Sequence, residues 1–295
     1  MDWRRHSVLG RLAGAVARRF GALLLTVLAA AFLSAALMRL APGYGMDERQ
    51  LDPRLSEDSI AAVRARDDPG LVSGFAGYLG GLARGEWGNS ISLQRPVREL
   101  MAERAGLTVR TVGAGLGLAW TLALALSLLL ERLHRRAPDV AATLVTGGML
   151  CLPAAVVALL FLHLGAAPAF ALAVILFPRI FRYVRNILAA SAQRPHVLAA
   201  QARGLGGVRL LWRHVSIPAA PELLALVGVS VSMAVGAAIP VEALCDSPGV
   251  GQLVWQSAMA RDAPVLMHLT VVVALVTSAA NVFSDAARAV VAREA

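Results

Sequence analysis

Lysine is missing from this chain of 295 residues: all 28 basic residues are arginine, set against 19 acids for a formal net charge of +9. That absence excludes a Walker A loop, which needs a lysine ammonium at the β and γ phosphates, and it excludes lysine Schiff-base chemistry. Charge itself is scarce. Only 16% of residues are charged and 5% aromatic, while 57% are hydrophobic, and the mean hydropathy is +0.64. A soluble domain of this length needs far more polar surface, so lipid is the main solvent. The two cysteines, Cys151 and Cys245, stand far apart in apolar surroundings, which suggests neither a zinc site nor a disulfide framework. They read as small buried hydrophobes. HExxH, GxSxG and paired acids within an apolar run are all lacking. The histidines (His6, His134, His163, His196, His214, His268) show no ligand spacing. A metal relay between His163 and His268 is a weaker reading than hydrogen-bonded structure.

What the chain does have is long apolar runs. A spanning helix needs about 20 mostly apolar residues. Phe20 to Leu40 and Thr111 to Leu130 satisfy this plainly. Val140 to Leu164 is a third run, expected to tilt and to tolerate Pro153. Leu223 to Leu244 and Val265 to Ala287 are the fifth and sixth. The fourth is short: its charge-free part, Gly165 to Phe177, covers only about 20 Å, so the span is extended through Pro178 into IFRYVRNIL. Arg179, Arg182 and Arg185 then share a face and are expected to snorkel, while Ile180, Phe181 and Val184 stay in lipid or protein. A re-entrant hairpin of the third and fourth runs is the competing reading. The first run is longer than a signal-peptide core and is expected to be a retained anchor.

Arginine placement near the ends of the runs sets the orientation. Arg4, Arg5, Arg11, Arg18 and Arg19 precede the first run, and Arg132, Arg135 and Arg136 lie between the second and third. From Arg179 to Ser216 every charged residue is an arginine. The intervening segments are neutral or acidic: Ala41 to Gly106 holds eight arginines against ten acids. Both termini are therefore expected in the cytoplasm. The expected organisation is a cytoplasmic segment at 1–19, a first transmembrane helix at 20–40, an external loop at 41–106, a five-helix core at 107–287 and a cytoplasmic tail at 288–295. The core carries a large cytoplasmic loop at 189–217.

That loop is the most informative segment. His196 to Arg203 predicts a short helix with small residues at Ala199, Ala200 and Ala202, and Gly204 stands where a C-cap wants a positive φ. Val208 to His214 predicts a second short helix carrying Arg209 and Arg213, and Pro218 and Pro221 are expected to break the path before the fifth span. The pattern is that of a docking knob at the bilayer surface, the alternative being a helix bound only to anionic headgroups.

AAQARGL (Ala199 to Leu205) and WRH (Trp212 to His214) resemble the cytoplasmic EAA loop of the integral membrane subunits of ABC importers, in particular the dipeptide/oligopeptide/nickel permease family. Four further segments follow that family's order: MRLAPG (Met38 to Gly43), RGEWGNSISLQRPVREL (Arg84 to Leu100), LPAAVVALL (Leu152 to Leu160) and VEALCDSPGVGQLVWQSAMARDAPVL (Val241 to Leu266). The resemblance covers nearly the whole chain. Departures are Tyr44 after the PG of the first exit, Ile217 and Pro218 in place of an Arg-Asn pair, a third-to-fourth connection reduced to GAAPAF, and a VVAREA terminus.

The resemblance implies an all-α, polytopic helical membrane protein of about six transmembrane helices with the type I ABC importer permease fold. It implies a second permease subunit, two ATPase subunits and an extracytoplasmic solute-binding protein as partners, in the plasma or inner membrane and without nucleic acid. ATP and Mg belong to the ATPases; no cofactor, metal or catalytic residue is expected in this chain. Ala199, Ala200, Ala202, Arg203, Gly204, Arg209 and Arg213 are the expected ATPase-coupling residues. Pro248, Gly249 and Gly251 form the expected external docking turn, followed by a helix from Gln252 to Met259. Peptide is the expected substrate class, nickel or another metal chelate the alternative. A stand-alone channel or a membrane enzyme is the competing class.

Overall fold

The computed structural model describes residues 21–37, 40, 71–133 and 135–294. Expectations for residues 1–19 and 41–70, and nearly all of the MRLAPG segment, lie outside the described residues. The described chain is helical: α1 (Gly21–Leu37), α2 (Leu71–Ala83), α3 (Val97–Leu133), α4 (Arg136–Leu150), α5 (Ala154–His163), α6 (Pro168–Ala192) and α7 (Pro195–Ala202). Next come α8 (Gly207–Leu210), a π-helical turn over Leu211–Ser216, α9 (Ile217–Leu244), α10 (Val250–Met259) and α11 (Ala263–Glu294). Among the described residues, Asn89 and Pro96 form an isolated antiparallel bridge.

Three stretches are long and apolar enough to cross a bilayer: α3, the unbroken Gly207–Leu244 and Ala263–Val291 of α11. The third expected span differs from a straight tilted helix. Its halves, α4 and α5, meet at 90°. The cause is local: Pro153 brings no N–H to the ladder, and before it Cys151 and Leu152 donate only three residues back, to Gly148 and Met149. This bend also leaves Cys151 exposed rather than buried as expected, while Cys245 is half-buried. α1 and α6 occupy the first and fourth expected positions. α6 runs through Pro178 as expected.

The fifth span also departs from expectation. Pro218 and Pro221 do not interrupt the chain, and Val208 to His214 is not a separate helix but the start of one continuous rod. The π turn widens the helix just before Pro218, and its last bond joins the Ile217 N–H to the Trp212 carbonyl.

The chain divides into two compact units, Met1–Met101 with Ser257–Leu275, and Ala102–Gln256 with Val276–Ala295. In the first, Val27 and Ala31 of α1 pack with Val271, against Phe75, Tyr78 and Leu82 of α2. Ser34 and Thr270 hydroxyls meet at 3.3 Å. In the second, the core gathers around α6, whose Leu172, Leu176, Ile180, Phe181, Val184 and Leu188 are all buried, together with Ala119, Ala123, Ala158, Leu226 and Val241. Small residues let helices touch: a Cβ on Gly115 would lie 2.9 Å from the Ala169 carbonyl. The short third-to-fourth connection closes as a compact turn. Gly165 takes φ +65°, and the Gly165 and Ala166 N–H groups return to the Leu162 and Phe161 carbonyls.

Candidate functional site

The loop at 189–217 is built on α7. Pro195 opens the helix, where a missing N–H costs nothing. It ends on Gly204, whose φ of +80° suits a residue without Cβ. The Gly204 N–H donates to the Gln201 carbonyl at 2.8 Å and the Leu205 N–H to the Ala200 carbonyl at 3.1 Å, which stops the helix and turns the chain outward.

The small-residue stripe divides between two faces. Ala200 is fully buried beside Val197 and supports the helix from inside, whereas Ala199 and Ala202 are exposed. Arg203, Arg209 and Arg213 are exposed, and Arg203 Nε donates to the Ala199 carbonyl at 3.2 Å. Between them stand three large apolar side chains, Leu198 56%, Val208 63% and Trp212 65% exposed. Apolar groups held in the open and interleaved with cations mark a surface made to be covered.

Beneath α7, Arg185 does not snorkel. Its Nη1 donates to Glu131 at 2.5 Å and its Nε to Asp139 at 2.7 Å, so one guanidinium ties α6 to the end of α3 and the start of α4. A cavity of about 340 Å³ lies beside it, lined by Glu131, Arg185, Ala189, Gln193, Leu198 and Gln201.

At the far end of α9, the SPGVG turn wraps a carboxylate. Glu242 is wholly buried. Its Oε2 accepts the Gly251 N–H at 2.7 Å and the Thr108 hydroxyl at 3.0 Å, and the Val250 N–H donates to Thr108 Oγ1 at 2.7 Å. The carboxylate thus sits at the N-terminus of α10, where free N–H groups favour negative charge. Gly249 and Gly251 are buried against it: a Cβ on Gly249 would collide with the carboxylate, and one on Gly251 would lie 2.9 Å from Oε2. Only Pro248 of the three expected docking residues is exposed. Arg104 reaches the same helix, donating to Gln256 at 3.2 Å.

In the first unit, Asp262 organises the segment after α2. Its carboxylate accepts Ser90 Oγ at 2.5 Å, Ser92 N–H at 3.0 Å and Ser92 Oγ at 2.7 Å. Burial pushes the carboxyl upward, and these hydrogen bonds outweigh it, holding Asp262 below its ordinary value. His268 lies between Tyr78 at 5.0 Å and Trp87 at 5.3 Å, and its Nδ1–H donates to the Pro264 carbonyl at 2.7 Å. His163 is exposed. Among the described residues, no group of three or more His, Cys, Asp or Glu gathers as a metal would require.

Sequence reasoning gave Glu242 no role, read Arg185 as a snorkelling residue without its two acids, and took His196 only as the first residue of a helix. Glu242 left a signal, being the lone acid in the apolar run Leu223 to Leu244. The partners of Arg185 are 46 and 54 residues away and left none.

Residues 115–295, more than half of the chain, match the family of binding-protein-dependent transport system inner membrane components. The chain belongs to this family: it is an integral membrane permease of the ABC importer class with the type I fold, multi-pass in the inner membrane, and not the ATPase. It is 25% identical over 299 residues to a Brucella ovis protein named as a peptide permease, covering 90% of this chain and 93% of that one. It is 25% identical to the oligopeptide transport system permease protein AppB of Bacillus subtilis, over 88% of this chain and 92% of that protein. It is 23% identical to the nickel import system permease protein NikB of Staphylococcus aureus, over 84% and 81%.

Proposed function

We propose that this chain is one of two permease subunits in an ATP-driven, binding-protein-dependent importer for peptides. A second permease completes the pathway, one of two ATPase subunits docks on the loop at 189–217, and a solute-binding protein delivers substrate outside. The observation that carries the reading is the exposed surface of Leu198, Val208 and Trp212 interleaved with Arg203, Arg209 and Arg213, in a chain of this family. ATP and Mg bind the ATPases, and this chain holds no cofactor. Closure of the ATPases moves α7, and the spans rotate to alternate access.

The arginine distribution supports cytoplasmic termini. Glu242, Gly249 and Gly251 then shape the external turn, and Pro248 is its exposed tip. The peptide names of relatives in Brucella ovis and Bacillus subtilis favour peptide as substrate; the NikB relatives make a nickel chelate the second reading. The test is reconstitution with the neighbouring ATPase, permease and binding-protein subunits, followed by ATP-dependent uptake of peptides and of nickel chelates. Uptake of peptide alone supports the reading. Uptake of nickel alone replaces its substrate, and flux without ATP or partners replaces it with a channel.

A further inference from the structure

In an α-helix each carbonyl takes the N–H four residues ahead; in a π turn it takes the one five ahead. Where the rod from Gly207 to Leu244 changes from π to α, both rules call on Pro218, which has no N–H. The Ile217 N–H closes the last π bond on Trp212. The π rule then leaves the Arg213 carbonyl without its N–H five ahead, and the α rule leaves a gap at the His214 carbonyl, whose N–H four ahead is missing. The structure fills that gap from outside the helix. His196, on the first turn of α7, holds its Nε2 at 3.0 Å from the His214 carbonyl. A carbonyl oxygen only accepts, so Nε2 carries the hydrogen. On the next carbonyl, Val215, the buried Ser191 hydroxyl of α6 donates at 2.9 Å.

We infer that His196 is a positioning residue that ties α7 to the fifth span by supplying the hydrogen Pro218 cannot. The inference rests on the proposed role of α7 as the coupling helix. The other attachments of α7 differ in kind. Val197 and Ala200 make non-directional apolar contacts that can slide. Arg194, just before the helix, pairs with Glu222 at 2.8 Å, but both side chains are more than 40% exposed, so that pair is screened and weak; its Nη1 also reaches the Pro218 carbonyl, at 3.5 Å, the long limit of a hydrogen bond. The bond from His196 is directional and ends on the backbone of the span itself. It converts a displacement of α7 into one of the turn at 212–218, while Ser191 holds the adjacent carbonyl to α6. Proline at 218 is therefore what opens the fifth span to the loop.

The test uses the assembled transporter in liposomes with its partner subunits, carrying His196→Leu, His196→Gln, Pro218→Ala or His196→Leu with Pro218→Ala. Two quantities are read: substrate moved per ATP hydrolysed, and amide hydrogen exchange over residues 207–222. His196→Leu is expected to lower transport per ATP and raise exchange, each about tenfold, the scale of one lost hydrogen bond. His196→Gln, which keeps an N–H donor, is expected to stay within about twofold of wild type on that same scale. The double variant is expected to recover exchange but not transport per ATP, because Pro218→Ala returns a backbone N–H to the His214 carbonyl while α7 still lacks its bond to the span.

Wild-type behaviour of His196→Leu overturns the inference. So does a double variant whose exchange stays as high as that of His196→Leu, since the lost bond was then not at the His214 carbonyl, and so does one whose transport per ATP recovers, since α7 then needs no bond to the span. A change in exchange without a change in transport per ATP overturns the positioning role as well. If the wild-type chain recruits no ATPase, the coupling reading itself fails, and exchange in liposomes still decides whether His196 holds the turn.

Discussion

Ser284 Oγ stands inside the backbone ladder of α9, accepting the Gly228 N–H at 3.2 Å and donating to the Leu224 carbonyl. The two helices meet there with no side chain from α9 between them, since a Cβ on Gly228 would lie 2.8 Å from the Ser284 Cβ. Close approach at small residues is how helices associate where lipid offers no hydrophobic drive. Gly228→Val is expected to destabilise the protein by about 1–3 kcal/mol through overpacking. Ser284→Ala should cost no more than about 1 kcal/mol, because the Gly228 N–H regains Leu224. Thermal unfolding in detergent, followed by size exclusion, separates the two.

Gly249 and Glu242 cannot be altered independently. Gly249→Ala drives a methyl into the Glu242 carboxylate and should destabilise the turn by about 1–3 kcal/mol. Glu242→Ala removes the acceptor of the Gly251 N–H and the Thr108 hydroxyl. The double variant is expected to cost less than the sum of the singles, because the methyl then enters the space the carboxylate left. Additive thermal shifts would show that the glycine answers to something else.

Asp262 makes the attachment of residues 90–92 acid-sensitive. Its hydrogen bonds hold the folded carboxyl below the ordinary 3.8. The folded value is the lower one, so the stabilisation is complete above the unfolded value and is lost as pH falls through the folded value. Protease resistance of the 84–96 segment should be constant above about pH 5 and decline below about pH 4. Asp262→Asn should be less resistant throughout and flat with pH.

Arg185→Ala leaves Glu131 without its guanidinium partner, with only 12% of that side chain exposed. The loss is expected to be about 1–3 kcal/mol, between a surface pair and a fully buried one. Arg185→Lys should recover only part of it, because an ammonium cannot reproduce the forked contact with acids on α3 and α4. Unfolding midpoints of the two variants check this.

Gly204→Arg places a long side chain at φ +80° on the exposed turn after α7. It is expected to abolish transport while the protein still inserts, since the turn lies outside the buried core. Membrane fractionation beside uptake decides it, and normal uptake by the inserted variant would sink the docking role of this turn.

The apolar runs of α3, α9 and α11 and the turn at Gly204 were legible in the sequence, because hydropathy and the need for positive φ are local properties. The prolines were not. Pro153 was expected to be tolerated and sits at a 90° bend; Pro218 was expected to break the chain and lies within a continuous rod. The difference lies in what surrounds the freed carbonyls. Around Pro218, His196 and Ser191 supply donors from α7 and α6, whereas before Pro153 the chain tightens onto its own backbone. Such donors come from other elements, and spacing along the chain cannot reveal them. Arg185 was misread for the same reason, since its acids are near only after folding.

The unbroken stretch from Gly207 to Leu244 is 38 residues long, or about 57 Å as a helix. Hydrocarbon occupies only about 30 Å of that length. If it pivots near Gly228, the part back to Gly207 forms an arm of about 30 Å, and a tilt of about 10° sweeps its tip by about 5 Å. Such a pivot would make the rod a lever, with stroke at one end set by a small rotation at the other. Its fulcrum would be the contact where Gly228 and Ser284 leave no room to slide.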